Sequence, residues 1–155
     1  MLKPAYRKFA EEFAAKINAQ DFEAAHRFFA PWLRDGIAPE HLQEMVESEL
    51  RETADAAGLE ELVYPKTFRV DSNSCTIDDL REIKKREYAY GRRDRRAIPD
   101  EITADNFRQW TVIQFMPAEG EDAELDVDAW FDFWMALVEI EGEYKIGYFE
   151  FEDPD

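Results

Sequence analysis

The sequence predicts an α+β domain in which three N-terminal helices pack on an antiparallel sheet. Apolar residues recur at helical spacing from the N-terminus to about residue 58, as they do in amphipathic helices. From Asp126 to Phe151 the chain instead contains two runs of aromatic and branched residues around a Glu141-Gly142 turn, which is typical of a β-hairpin. Because the helices precede the strands and do not alternate with them, the order indicates helices grouped on one face of an antiparallel sheet.

The first predicted helix is indicated by its apolar spacing, and the other two by residues at their starts. Residues 2–19 form the first helix, whose apolar face carries Tyr6, Phe9, Ala10, Phe13 and Ile17. Asp21 is a good N-cap for a short second helix, and Pro31 should disturb its end, because the residue before a proline avoids helical backbone. Pro39 suits the first turn of a third helix, which should run to Gly58.

The predicted strands follow. They are Leu62–Val70, which Pro65 places at an edge or near a bulge, then Phe107–Met116, Val127–Ile140 and Glu143–Phe151. The segment 71–106 is an irregular insertion with a short helix at Thr76–Arg86. Since Val127–Ile140 is apolar on almost every residue and does not alternate, this strand should be covered on both faces.

Composition limits the class of protein. With 155 residues, 45% of them apolar and 14% aromatic, the chain should form one domain over 1–155 with a real core. Its single cysteine, Cys75, cannot form an internal disulfide and suits a reducing compartment. The charged N-terminus does not resemble a signal peptide, so we expect a cytoplasmic protein. The net charge of −17 argues against binding to nucleic acid or to anionic membranes.

Charge is unevenly distributed along the chain. Residues 81–96 hold eight bases and three acids, whereas residues 117–155 hold 14 acids and one base. Two interpretations stay open, namely two solvated surfaces that attract each other and a basic loop that docks on a protein partner. In the second interpretation the partner contacts are Arg92, Arg93, Arg95 and Arg96.

The two faces of the last hairpin depend on its loop. A two-residue loop places Glu139 opposite Tyr144, and a three-residue loop with Gly142 at a positive φ places Glu139 opposite Glu143. The three-residue loop gathers the charged residues Glu139, Glu143 and Lys145 on one face and is the register we expect. That face also carries Phe131 and Phe133. Because monomers avoid large exposed apolar patches, we expect a second subunit, in a homodimer, or the insertion to cover it.

The opposite face is the predicted ligand pocket. Asp132 lies between Trp130 and Trp134 in the sequence. Burial among indoles would raise the pKa of this carboxyl group and suit it for acid/base chemistry, although Asp132 is also explained by partial solvation or by capping of a backbone amide. The other pocket candidates are Trp130, Trp134, Gln114, Tyr144, Tyr148 and Glu150.

Short motifs at both ends of the chain resemble those of NTF2-like (cystatin-like) domains. They are Ala19-Gln20-Asp21-Phe22-Glu23-Ala24-Ala25 followed by Phe28-Phe29-Ala30-Pro31, and the closing Glu141-Gly142-Glu143-Tyr144-Lys145-Ile146. The resemblance implies a cone, in which a curved sheet wraps a long helix, often around a pocket and often in a dimer. In the isomerase and dehydratase branches a His–Asp pair inside the cone transfers the proton, which makes His26 the candidate partner of Asp132. An exposed helix face also explains His26.

Two functions are compatible with these patterns. The first is a non-catalytic binding or regulatory protein that acts through its acidic surface and a sheet face. The alternative is a small-molecule binding protein or an acid/base enzyme of the isomerase or dehydratase type, with Asp132 in the cone. Motifs for P-loop, Rossmann and α/β-hydrolase sites are absent from the sequence, and we predict no cofactor and no metal. Whether aromatic residues fill the cone should distinguish the two functions, and the binding protein is favoured.

Overall fold

Four helices precede the first strand in the computed structural model, which describes residues 2–56, 58, 60–89, 98–116 and 131–152. They are α1 (Pro4–Asn18), α2 (Phe22–His26), α3 (Pro31–Arg34) and α4 (Pro39–Ala56). The prediction of three was wrong at the second helix, which divides in two because Phe28–Ala30 is non-helical and Pro31 starts a new helix. None of the described helices has the length and apolar character to cross a membrane.

The remaining elements confirm an α+β chain with a four-stranded antiparallel sheet. After α4 come β1 (Thr67–Asn73), α5 (Ile77–Ala89), β2 (Phe107–Met116), β3 (Phe131–Ile140) and β4 (Glu143–Glu152). The strands lie in the order β1-β2-β3-β4, and each pairs antiparallel with the next. β1 and β4 are therefore the two edges of the sheet. β1 starts later than predicted, after Pro65, and β2 has the predicted bounds.

The β3–β4 turn has two residues. Ile140 pairs with Glu143 and Glu139 with Tyr144, so the expected three-residue loop was wrong and its alternative is correct. Both turn residues have a positive φ, 52° at Glu141 and 81° at Gly142. A turn with two positive φ values matches the twist of the strands it joins.

A bulge at Gly147 then changes the face of every later residue in β4. Leu137 pairs with Ile146 but Ala136 pairs with Tyr148, so Gly147 is an extra residue. A Cβ atom at this position would lie 3.0 Å from side-chain carbons of both Ile102 and Val138. A larger residue here would force the side chains of Ile102 and Val138 to shift, so the bulge favours glycine, and the sequence pattern did not predict it.

The helices α1–α4 cover the face of the sheet that carries Phe131 and Phe133. These two side chains are 0% and 1% exposed in a cluster with Phe13 and Phe29. We expected a second subunit or the insertion to cover this phenylalanine face. The structure instead buries it against the chain's own N-terminal helices. Phe131 and Phe133 are not accessible to a second subunit, and the homodimer stays a prediction without them.

The other face of the sheet is covered by α5 and by residues 98–102. Ile77, Leu80, Ile98 and Ile102 pack there on Trp110, Ala136, Val138 and Tyr148. The prediction that β3 is covered on both faces is confirmed, because its residues Met135–Val138 are all fully buried. The helix in the insertion thus supplies the second layer.

Candidate functional site

A buried ion pair lies under α5 on the second face of the sheet. The Nζ of Lys84 is 2.6 Å from the Oε2 of Glu150, and the two side chains are only 10% and 7% exposed. The hydroxyl of Tyr148 donates a short hydrogen bond to the other carboxylate oxygen of Glu150. Both oxygens of Glu150 accept hydrogen bonds from side chains of the chain itself. These bonds fix the carboxylate in position and occupy the atoms with which it would bind a ligand.

Aromatic rings surround the ion pair. The ammonium group of Lys84 lies 5.4 Å from the centre of the Trp110 ring, within the range of a cation–π contact. Trp110 stacks on Trp134 at 5.5 Å and on Tyr148 at 6.2 Å. We call the set Lys84, Trp110, Trp134, Tyr148 and Glu150 the polar cluster, and its rings exclude water from the charges.

The start of α5 and its contacts explain how Lys84 reaches the sheet. Thr76 and Asp79 form a reciprocal cap, in which Asp79 N–H donates to Thr76 Oγ1 and Thr76 N–H donates to Asp79 Oδ2. One turn before Lys84, Arg81 donates to the carbonyl oxygens of residues 98, 99 and 102. The side of α5 that faces the sheet and residues 98–102 therefore carries side chains at helical spacing, namely Ile77, Leu80, Arg81 and Lys84.

Asp132 lies next to this cluster, on the same face. It is half-buried, opposite Gln114 in β2 and two residues before Trp134 in β3. The amide oxygen of Gln114 accepts a hydrogen bond of 2.7 Å from Arg69 Nε. Of the predicted pocket, the structure therefore brings Asp132, Gln114, Trp134, Tyr148 and Glu150 to one face. Trp130 lies outside the described residues.

Tyr144 and His26 do not belong to this face. The two-residue turn places Tyr144 opposite Glu139 on the helix side, where its ring packs 5.4 Å from Tyr6 of α1. His26 also lies on the helix side, where its Nε2 donates to Ile37 O at 2.6 Å and its ring contacts Phe29. The sheet separates His26 from Asp132, so a His–Asp pair is not assembled, and His26 instead connects α2 to the loop between α3 and α4. The candidates Arg92, Arg93, Arg95 and Arg96 lie outside the described residues.

An open groove of about 560 Å³ lies on the helix side, between α4 and the end of β4. We call it the α4 groove. Its lining combines apolar side chains with carboxylates and consists of Gly36, Ile37, His41, Glu44, Met45, Ser48, Glu49 and Phe151. One ring nitrogen of His41 already has a partner, since Nδ1 accepts a hydrogen bond from Ala38 N–H at the start of α4.

In the described part of the chain, no group of three or more His, Cys, Asp or Glu side chains could hold a metal ion. The α4 groove holds one histidine and two carboxylates, but His41 already accepts through Nδ1. The groove is therefore better suited to a cationic ligand that carries an apolar part.

Compared with protein-family models, with curated proteins and with solved structures, the chain gives no match. The resemblance to NTF2-like domains therefore stays a prediction that rests on the short motifs quoted above. The function has to be inferred from the geometry of the described residues.

Sequence reasoning missed Lys84, Trp110 and the α4 groove. Lys84 was read as part of a solvated basic segment, and its contact with Glu150 spans 66 residues of chain. One signal was present, because Lys84 follows Ile77 by seven residues and Leu80 by four, on the apolar side of a helix. The groove had no such signal, since it depends on how α4 approaches β4.

Proposed function

We propose that the protein is a non-catalytic binding protein whose ligand is a basic segment of another protein. The observation that carries the proposal is the interior between the helices and the sheet. Ring centres of Phe13 and Phe133 lie 5.1 Å apart, and Phe149 lies 5.2 Å from both Phe29 and Phe133. These are contact distances between aromatic rings. Between the helices and the sheet, the chain's own side chains therefore occupy the space that a cone would offer to a small substrate.

Charge supports a basic ligand. The chain has a net charge of −17, and α4 carries six carboxylates, Glu40, Glu44, Glu47, Glu49, Glu52 and Asp55, against the single Arg51. Two of these carboxylates line the α4 groove. Complementary charge increases the rate of association and disfavours acidic partners, while the apolar lining gives a bound segment surface to bury.

A charge reversal in the groove tests the proposal. The probe is an octapeptide of alternating lysine and valine, with a glutamate–valine octapeptide as its acidic counterpart. We expect the basic peptide alone to bind, more weakly as salt rises. Glu44→Lys should weaken this binding by about tenfold, because it replaces an attraction with a repulsion at close range.

The matched control is Glu11→Lys, which makes the same charge change on the exposed surface of α1. If both variants weaken binding equally, only net charge matters and the groove is not the site. If neither octapeptide binds to the wild-type protein, the proposed function is wrong.

A small-molecule site beside Asp132 is the second candidate, and one observation favours it. The buried Nε1 of Trp134 has no hydrogen-bond acceptor among the described residues, and Trp134 shares a face with the half-buried Asp132. A ligand with an acceptor group would satisfy this donor. For such a ligand, Asp132→Asn should abolish binding or turnover while the fold persists, and unchanged binding would remove Asp132 from the site.

A further inference from the structure

Among the described residues, hydrogen bonds on the outer edge of β4 are made to the backbone of Ile146 and Gly147. Ile146 N–H donates to Phe28 O at 2.7 Å, and Ala30 N–H donates to Ile146 O at 2.9 Å. The segment before α3 thus pairs with the edge as a short parallel strand around Phe29. The indole of Trp32 then donates to Gly147 O at 2.8 Å. At Ile146 and Gly147, the chain itself therefore covers the edge.

Beyond Gly147 the pattern of the ladder leaves outward-pointing backbone groups to which no other described residue is bonded. Residues of an antiparallel strand point their N–H and C=O alternately toward and away from the neighbouring strand. With Gly147 as the extra residue of the bulge, Tyr148 and Glu150 point toward β3, and Phe149 and Phe151 point away from it. Within the described residues, neither Phe149 nor Phe151 has a backbone hydrogen bond on that outer side.

This part of the edge, to which no described residue bonds, adjoins the α4 groove. Phe151 belongs to both, since its backbone lies on the edge and its side chain lines the groove. Successive side chains of an added strand would point to opposite faces of the sheet. On the helix side, a side chain would meet Ile37, Met45 and Phe151, close to the carboxylates of Glu44 and Glu49.

We propose that the partner segment adds to β4 as a fifth strand, pairing with the backbone of Phe149 and Phe151 and placing an apolar side chain in the α4 groove. This inference rests on the proposed function, and it specifies the conformation of the ligand. Backbone pairing supplies affinity in such complexes, and alternate side chains supply specificity. A second copy of the chain is a poorer occupant than a basic segment, because two acidic α4 helices would approach each other.

The test follows backbone amide resonances of the nitrogen-15-labelled protein in NMR titrations. The first probe is the lysine–valine octapeptide, and the second is the same peptide with alternate backbone nitrogens methylated. Methylation keeps the charge and the side chains but removes the donors on one edge. We expect the first peptide to shift the Phe149 and Phe151 amides, and the methylated peptide to bind at least about tenfold more weakly, since it loses several hydrogen bonds.

The possible outcomes separate the two proposals. Equal binding of both peptides, with sensitivity to Glu44→Lys, would overturn strand addition and leave the proposed function standing. Binding of neither peptide would overturn both proposals. If the Phe149 and Phe151 amides shift with protein concentration alone, the occupant is a second copy and the proposed peptide ligand is wrong.

Discussion

The two faces of the sheet are stabilised by different kinds of contact. On the phenylalanine face, phenylalanine rings from α1, the segment before α3 and the sheet lie in contact, and the fully buried Thr111 lies on the same face, opposite Met135. On the other face, α5 joins the sheet through the polar cluster, whose Lys84–Glu150 pair lies among tryptophan and tyrosine rings. Among the described residues, the first layer is therefore held mainly by apolar burial, and the second by burial combined with a specific ion pair.

This difference predicts where the stability of the chain resides. Apolar burial is non-directional and is favourable in proportion to the area removed from water. A buried ion pair instead recovers little more than the cost of desolvating its charges, but leaving one charge without its partner is expensive. The phenylalanine face should thus supply most of the stability, and the polar cluster should specify how α5 packs.

The largest expected effect is a cavity on the phenylalanine face. Phe133→Ala should lower the free energy of unfolding by about 4 kcal/mol, because it removes a fully buried ring that contacts Phe13, Phe149 and Phe151. Urea denaturation followed by far-UV circular dichroism measures the loss. Phe133→Leu is the control and should cost clearly less, since most of the volume remains. Equal losses would show that the ring contacts, and not the filled volume, dominate.

The next effect concerns the ion pair. Lys84→Ala should lower the free energy of unfolding by about 3 kcal/mol, because Glu150 stays buried without its ammonium partner. The double variant Lys84→Met and Glu150→Gln removes both charges and keeps an acceptor for Tyr148. We expect it to lose less than about 1 kcal/mol. If the double variant is as unstable as Lys84→Ala, the ion pair itself contributes to stability. The polar cluster would then do more than specify how α5 packs.

Element positions were predictable because their signals are local. Hydrophobic runs and turn residues indicated β2 with its observed bounds, apolar spacing placed α1 to within a few residues, and Pro39 and Gly58 did the same for α4. The split between α2 and α3 was missed, although Pro31 had been identified as a point of disturbance. A proline can end one helix or begin another, and only the pairing of Phe28–Ala30 with β4 decides between these roles.

The assignment of faces was not predictable, because it depends on single-residue shifts. One residue of register reverses every side chain of a strand. The turn at Glu141-Gly142 and the bulge at Gly147 each introduce such a shift, so Tyr148 and Glu150 were placed correctly beside Asp132 while Tyr144 was not. Lys84 illustrates a second limit, since a buried lysine looks like a solvated one until its distant partner is known.

The smallest expected effect concerns a polar contact at the rim of the phenylalanine face. The Tyr64 hydroxyl donates to Glu47 Oε2 at 2.9 Å, and its ring contacts Phe22. Burial of Tyr64 raises the pKa of its phenol, and both the hydrogen bond and the charge of Glu47 raise it further. At neutral pH, Tyr64→Phe should lower the free energy of unfolding by about 1 kcal/mol through loss of this hydrogen bond.

The contribution of Tyr64 should also depend on pH in a definite direction. Because the folded pKa lies above the ordinary value of about 10, the unfolded chain loses this proton first as the pH rises. The stabilisation is fully present below about pH 10 and declines above it, so the wild-type and Tyr64→Phe curves should converge there in urea denaturation. Glu47→Gln is the control, since it keeps an acceptor but removes the charge, and it should reduce the convergence. Parallel curves would show that Tyr64 has the same pKa in the folded and unfolded chains. The contact with Glu47 would then be solvated and would not stabilise the rim of the phenylalanine face.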